Sequence, residues 1–134
     1  MIEISNSTAQ TLTPGQAIAF DVTNLKTRCT AECHKTGMTD VRLRLNGIYE
    51  IVFLGNIGGV AAGAVQLSIS AGNAVLPGST MISTTAAAGD LNNVAKTMLV
   101  GNGCGMYDII RIVNTGTANL TVGPGANLVV RRIA

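Results

Sequence analysis

The chain has no tryptophan and only two phenylalanines and two tyrosines in 134 residues. Aromatics at 3% leave no set of platforms for stacking bases, which argues against a single-stranded nucleic-acid binder. They also leave the core to Val, Ile, Leu, Ala and Met. Charge is scarce as well: charged residues make up 12% of the chain, about half the usual share of a soluble domain. Nine basic and seven acidic residues give a formal net charge of +2 with no Lys/Arg-rich run, so neither a nucleic-acid patch nor a membrane-surface patch is indicated. No run of about 18 apolar residues exists to span a bilayer. The opening Met1-Ile2-Glu3-Ile4-Ser5-Asn6-Ser7 has neither a basic leader nor an apolar centre, so it does not read as a secretory signal.

A structural zinc site takes four Cys or His ligands, usually in paired short spacings, and the chain offers three cysteines and one histidine in total. For a leaderless chain in a reducing compartment the expectation is free thiols. Cys29 and Cys33 would share a strand face about 13 Å apart, too far for a bridge unless the chain turns between them.

What the sequence does have is alternation. Gly47 to Ile57 is apolar on both of its alternating faces: Tyr49, Ile51 and Phe53 point one way, Val52 and Leu54 the other. A strand with one wet face alternates apolar and polar residues, so something covers each side of this one. In so short a chain the second cover reads as another copy of the chain. Tyr107 to Val113 has the same two-faced character.

Residues 1–16 read as an extended N-terminal arm with a short edge strand at Ile2 to Ile4, closed by the Thr13-Pro14-Gly15-Gln16 turn. Ile18, Phe20 and Val22 share a strand face, and Asn24 to Gly37 reads as an irregular, charged segment with one short strand near Cys29. Val41 to Leu45 alternates into Asn46-Gly47, a two-residue hairpin signal. Gly55 to Gly63 reads as an open loop, and so does Ala86 to Asn93. Val65, Leu67 and Ile69 form a further strand face, and Thr80 to Thr84 and Val94 to Val100 are strands. Asn114 to Ala118 reads as a hairpin onto Asn119 to Val122, and Asn127 to Ile133 is the last strand. About ten short strands with turn signals between them, and no convincing helix, fit one all-β sandwich or jelly roll over residues 1–134.

Gly47-Ile48-Tyr49, the Val65 to Ile69 strand turning through Gly72-Asn73, and the terminal Leu128-Val129-Val130 together resemble the globular heads of the complement and tumour-necrosis-factor type. The Tyr49 to Ile57, Met81 to Asn93 and Val113 to Ile133 stretches are similar to small proteins of Firmicute bacteria and their tailed phages, including trimeric heads on spore-surface collagen-like proteins. The resemblance implies a jelly-roll homotrimer whose inner sheets pack around a threefold axis. With no leader and no collagen stalk, a stand-alone virion protein is the expected role. It would be a capsid decoration (auxiliary head) or head-fibre protein, located on the virion and assembled in the host cytoplasm. Its partners would be itself and the major capsid protein or another virion protein. The alternative is a trimeric receptor- or glycan-binding head on a phage or spore surface, using the loops at 55–63 and 86–93.

The candidate trimer interface is Tyr49, Ile51, Phe53, Tyr107, Ile109 and Val113, and Arg42 and Arg44, on one strand face, are candidate partner contacts. Cys29, Cys33, His34 and Cys104 are the only soft ligands or nucleophiles. Their expected roles are buried small thiols and a surface histidine, rather than a metal site or a thiol enzyme. Among Asp21, Asp40, Glu50, Asp90 and Asp108 no spacing singles out a catalytic pair. The glycine clusters lack the strand-to-helix context of a phosphate loop. No catalytic residue, metal or cofactor is expected.

Overall fold

The computed structural model describes residues 1–28, 31–103 and 109–134. Among them are thirteen strands and no helix. In chain order these are β1 (Ile2–Ser5), β2 (Gln10–Leu12), β3 (Val22–Lys26), β4 (Glu32–His34), β5 (Val41–Leu43), β6 (Gly47–Gly59) and β7 (Gly63–Ala71). They continue as β8 (Ala74–Val75), β9 (Met81–Thr85), β10 (Asn92–Asn102), β11 (Ile109–Asn114), β12 (Leu120–Val122) and β13 (Asn127–Arg132). The excess over the expected ten comes from two- and three-residue strands at the ends of the sandwich.

The strands form two antiparallel sheets, one of seven strands and one of six. In the first, β6 is the hub. Along one side it pairs with β10 over eleven residues, from Gly47↔Asn102 to Ile57↔Asn92. Along the other it pairs with β13 from Tyr49 to Leu54 and then with β12 from Ile57 to Gly59. β13 passes the ladder on to β1 and β1 to β3, while β2 borders β12. The second sheet runs β4-β5-β11-β7-β8, with β9 also on β7.

The core lies between the sheets. Tyr49, Ile51 and Phe53 from β6 meet Leu67 and Ile69 of β7 and Ile110 and Ile112 of β11 in one continuous cluster of fully buried side chains. Ile2 and Ile4 are fully buried as well, so the first residues are an integral strand of the seven-stranded sheet and not an arm. Ile18 and Phe20 are buried as their spacing predicts, but regular pairing begins only at Val22. β6 runs on to Gly59, so most of the stretch expected as an open loop from Gly55 is strand. Glycine permits this extension: a Cβ on Gly58 would sit 1.8 Å from the carbonyl oxygen of Asp90, where the 86–91 segment closes over the strand end.

Two expected hairpins are corners between sheets. Gly47 has the positive φ, 147°, that the turn signal calls for. Yet β5 pairs with β4 and β11 in one sheet while β6 belongs to the other. Side chains take over the role that a hairpin ladder would have had. The Tyr49 hydroxyl donates to the carbonyls of Leu45 (2.7 Å) and Ala31 (3.2 Å). Buried Asn102 donates to those of Leu43 (3.3 Å) and Leu45 (3.2 Å). Likewise β11 and β12 lie in different sheets, and buried Asn114 donates to Leu12 O (3.1 Å) and Ala118 O (2.9 Å) while its Oδ1 accepts from Gly116 N (3.0 Å). Asn6 does the same where β1 ends, donating to Thr8 O and Gly123 O and accepting from Ala126 N.

One ion pair ties the β4–β5 turn to β11: Arg111 Nε donates to Asp40 Oδ1 at 2.7 Å. This hydrogen bond is the main cause of a carboxyl pKa held below its ordinary 3.8, with Thr39 and the charge of Arg42 adding to it and partial burial opposing it.

Two outcomes are expected in chemical denaturation. Phe53→Ala, which empties a fully buried ring site, lowers stability by about 3–5 kcal/mol, and Asn114→Ala, which leaves buried backbone groups unpaired, by about 1–3 kcal/mol. Because the folded-state pKa of Asp40 is depressed, its contribution is present above the unfolded value and is lost as pH falls through the folded one. Asp40→Asn therefore flattens the stability profile below about pH 4, and leaves its acid limb unchanged only if the pair contributes nothing.

Candidate interaction surface

With Tyr49, Ile51 and Phe53 turned inward, period two directs Ile48, Glu50, Val52 and Leu54 to the outer face of the seven-stranded sheet. The ladder gives the last three a neighbour on both sides. Leu54 lies between Ala95 and Asn127, Val52 between Thr97 and Val129, and Glu50 between Leu99 and Arg131. Leu99 is 62% exposed, Ile48 and Leu54 each 44%. Val52 and Val129 are half-buried between them. The charges on this stripe largely cancel: Arg131 Nε donates to Glu50 Oε1 at 2.8 Å. The face is thus an aliphatic patch with one neutralised pair, bordered by Asn56, Asn93 and Asn127. A patch of this composition marks a contact site more often than a solvated surface.

β10 adds a second feature. Its only ladder partner among the described residues is β6, so its outer edge presents main-chain groups over much of an eleven-residue strand. Its two ends are tied back by side chains, the start by Asn92 donating to Ser83 Oγ (3.0 Å) and Thr84 O (3.2 Å) and the finish by Asn102 donating to Leu43 O and Leu45 O. An uncovered edge this long invites pairing or burial.

The interface expected from the sequence is corrected here. Tyr49, Ile51 and Phe53 have no exposure within the single chain and cannot also face a partner. The sandwich takes the bulkier face of β6 into its own core and leaves the Ile48-Val52-Leu54 face outside. Ile109 and Val113 are half-buried on the outer face of the six-stranded sheet, so they do not share a surface with β6. Tyr107 lies outside the described residues.

Arg42 and Arg44 are exposed on one face of the β5 segment, alternating with buried Val41 and Leu43 as their spacing predicts. His34 is not a surface histidine. It is 6% exposed, edge-on to Phe20 at 6.4 Å between ring centroids, with Nδ1 facing Asp40 O (2.7 Å) and Nε2 facing Phe20 O (3.1 Å). Both ring nitrogens are committed to the backbone. Cys33 is disulfide-bonded, which corrects the free-thiol expectation. Cys29 and Cys104 lie outside the described residues. Among those described, no three His, Cys, Asp or Glu side chains gather to hold a metal ion. The acidic residues are separately engaged: Asp21 accepts from Ser7, Asp40 from Arg111 and Glu50 from Arg131. Asp90 is exposed, and Asp108 lies outside the described residues. The buried asparagines and the β10 edge escaped sequence reasoning, although Asn102 and Asn114, each at the end of an apolar strand, were a signal for the former.

No family model matches the chain, and no curated protein does. Its fold is similar to that of solved structures. The PRD1 vertex protein P5 has 14% identity and a TM-score of 0.58 over 99% of this chain and 96% of that one. The globular domain of zebrafish complement 1qA protein has 11% identity and a TM-score of 0.63 over 96% and 94%. Murine APRIL has 16% identity and a TM-score of 0.61 over 98% and 97%. At these identities the likeness is one of fold: the chain is a jelly-roll sandwich of the kind found in complement and tumour-necrosis-factor heads.

Proposed function

We propose that the protein is a non-catalytic structural component that assembles as a homotrimer on the surface of a particle, as a capsid decoration (auxiliary head) or head-fibre protein of a tailed phage. The observation that carries self-association is the aliphatic outer face of β6, β10 and β13 beside the open edge of β10. A second copy of the chain is the simplest cover for it. A patch that is apolar, with its one ion pair satisfied internally, asks for a like surface and not for a charged one. Threefold closure follows from the resemblance to the complement and tumour-necrosis-factor heads. The virion assignment draws on the sequence's likeness to small phage proteins and on the fold it shares with a protein titled a vertex protein. The major capsid protein or another virion protein would then be the second partner.

The glycan-binding reading has less support. The end of the sandwich where β6 meets β7 offers a cavity of about 250 Å3, lined by Val60, Ala61, Ala62 and Ala118 among others and without an aromatic ring. That is smaller than ordinary ligand pockets, and its walls cannot stack on a sugar.

Light scattering of the purified chain tests the assembly. A mass near three times 13.7 kDa is expected. Leu99→Arg combined with Leu54→Arg should weaken association by about 30-fold or more and yield folded monomer, as loss of central anchors does. Ile82→Arg, at a 64% exposed position on the other sheet, should leave the mass unchanged. A wild-type monomer, or dissociation by Ile82→Arg alone, would overturn the assignment of this face. The virion role predicts peptides of this chain in particles purified from the strain that carries the gene. Their confinement to the soluble fraction would reject that role.

A further inference from the structure

On the lateral side of the sandwich, away from the β6-β10-β13 face, the terminal strands of the two sheets come together. β3 ends one sheet and β4 ends the other. Between the end of β3, β4 and β5 lies a depression of about 590 Å3, within the size range of a binding site. Lys26, Lys35 and Arg42 stand around it, and Met38, 50% exposed, and Cys33 give it an apolar floor.

Among the described residues the charge here is unbalanced for a specific reason: each described acid nearby, Asp40 of the lining included, is neutralised from elsewhere. Asp40 is held by Arg111 of β11. Glu32, 3% exposed, turns inward to the Met1 ammonium (2.8 Å) and the Arg132 amide (2.5 Å). Among the described residues no salt bridge engages Lys26, Lys35, Arg42 or Arg44. In a chain with so few charges, this surplus gathers from three separate segments around one concavity. Isolated edge lysines that merely discourage strand pairing would have no reason to gather in this way.

The geometry points to a binding site for an extended acidic peptide segment of another protein, lying along the β3 and β4 edges with its carboxylates toward Lys26, Lys35 and Arg42. Main-chain groups of terminal strands suit an extended chain, as in strand addition. Aliphatic floor residues suit its alternate side chains. A saccharide or a single-stranded nucleic acid would want aromatic platforms, and among the described residues the one nearby ring pair, Phe20 and His34, is buried. None of these residues belongs to the proposed trimer face, so the two proposals fail separately.

Fluorescence anisotropy with a labelled peptide of about ten residues alternating Glu and Leu, long enough to span a strand, tests the site. Binding to the full chain is expected, and Lys35→Gln with Arg42→Gln should weaken it by about tenfold or more, the effect of losing close charge partners. Thr84→Glu with Ala87→Glu, exposed positions at the far edge of the six-stranded sheet that change the net charge equally, should stay within about twofold at physiological salt, where distant charges are screened. Excess inorganic phosphate, or a heparin oligosaccharide of matched charge, should not displace the peptide. Absence of binding, equal loss in both double variants, or displacement by phosphate or heparin would overturn the proposal.

Discussion

The structure depends on a single strand being used on every side. β6 donates its ladder in both lateral directions, to β10 on one edge and to β13 and β12 on the other, and gives its Tyr49-Ile51-Phe53 face to the core. A central strand with both edges paired has no backbone freedom left, so the only part of it still unused is the opposite face. That face is aliphatic. The apparent excess of hydrophobicity in this strand is therefore not waste: one half is consumed by the fold and the other is available for assembly.

The second constraint is the turning of corners. A jelly roll must carry its chain from one sheet to the other several times, and each crossing breaks a ladder and leaves carbonyls without their usual donors. In this protein the gap is met by asparagine. Asn6, Asn102 and Asn114 are all buried, and each bridges two backbone carbonyls with one amide group. With Tyr49 they form a polar framework at the ends of an otherwise aliphatic core. Such groups are costly unless satisfied, so they fix where each corner lies.

Much of this was legible in the residues. Alternation located the long strands, and the two-faced character of 49–54 marked a strand whose inner face the second sheet covers and whose outer face is aliphatic. Parity alone does not say which face is the inner one, however, since Tyr49-Ile51-Phe53 and Val52-Leu54 both read as apolar. Only the arrangement of the second sheet decides it, and so the expected interface fell on the core. The Asn46-Gly47 and Asn114 turns were misread for a related reason. Local turn chemistry is the same whether a strand folds back beside its neighbour or crosses to the other sheet. The burial of His34 and the gathering of Lys26, Lys35 and Arg42 come from long-range packing and leave no periodic trace.

The pairing of β6 also has a kinetic side. Its partners on one edge, β12 and β13, lie at 120–132, and β1 reaches the sheet only through β13. The sheet that holds residues 2–5 therefore cannot close until residues 120–132 have been made. Contacts of such sequence separation slow folding, because loop entropy is lost before any pairing rewards it. During synthesis the aliphatic strand 47–59 must wait, unpaired on one edge, for its closing partner. Its interval of greatest vulnerability to aggregation thus falls before residues 120–132 emerge.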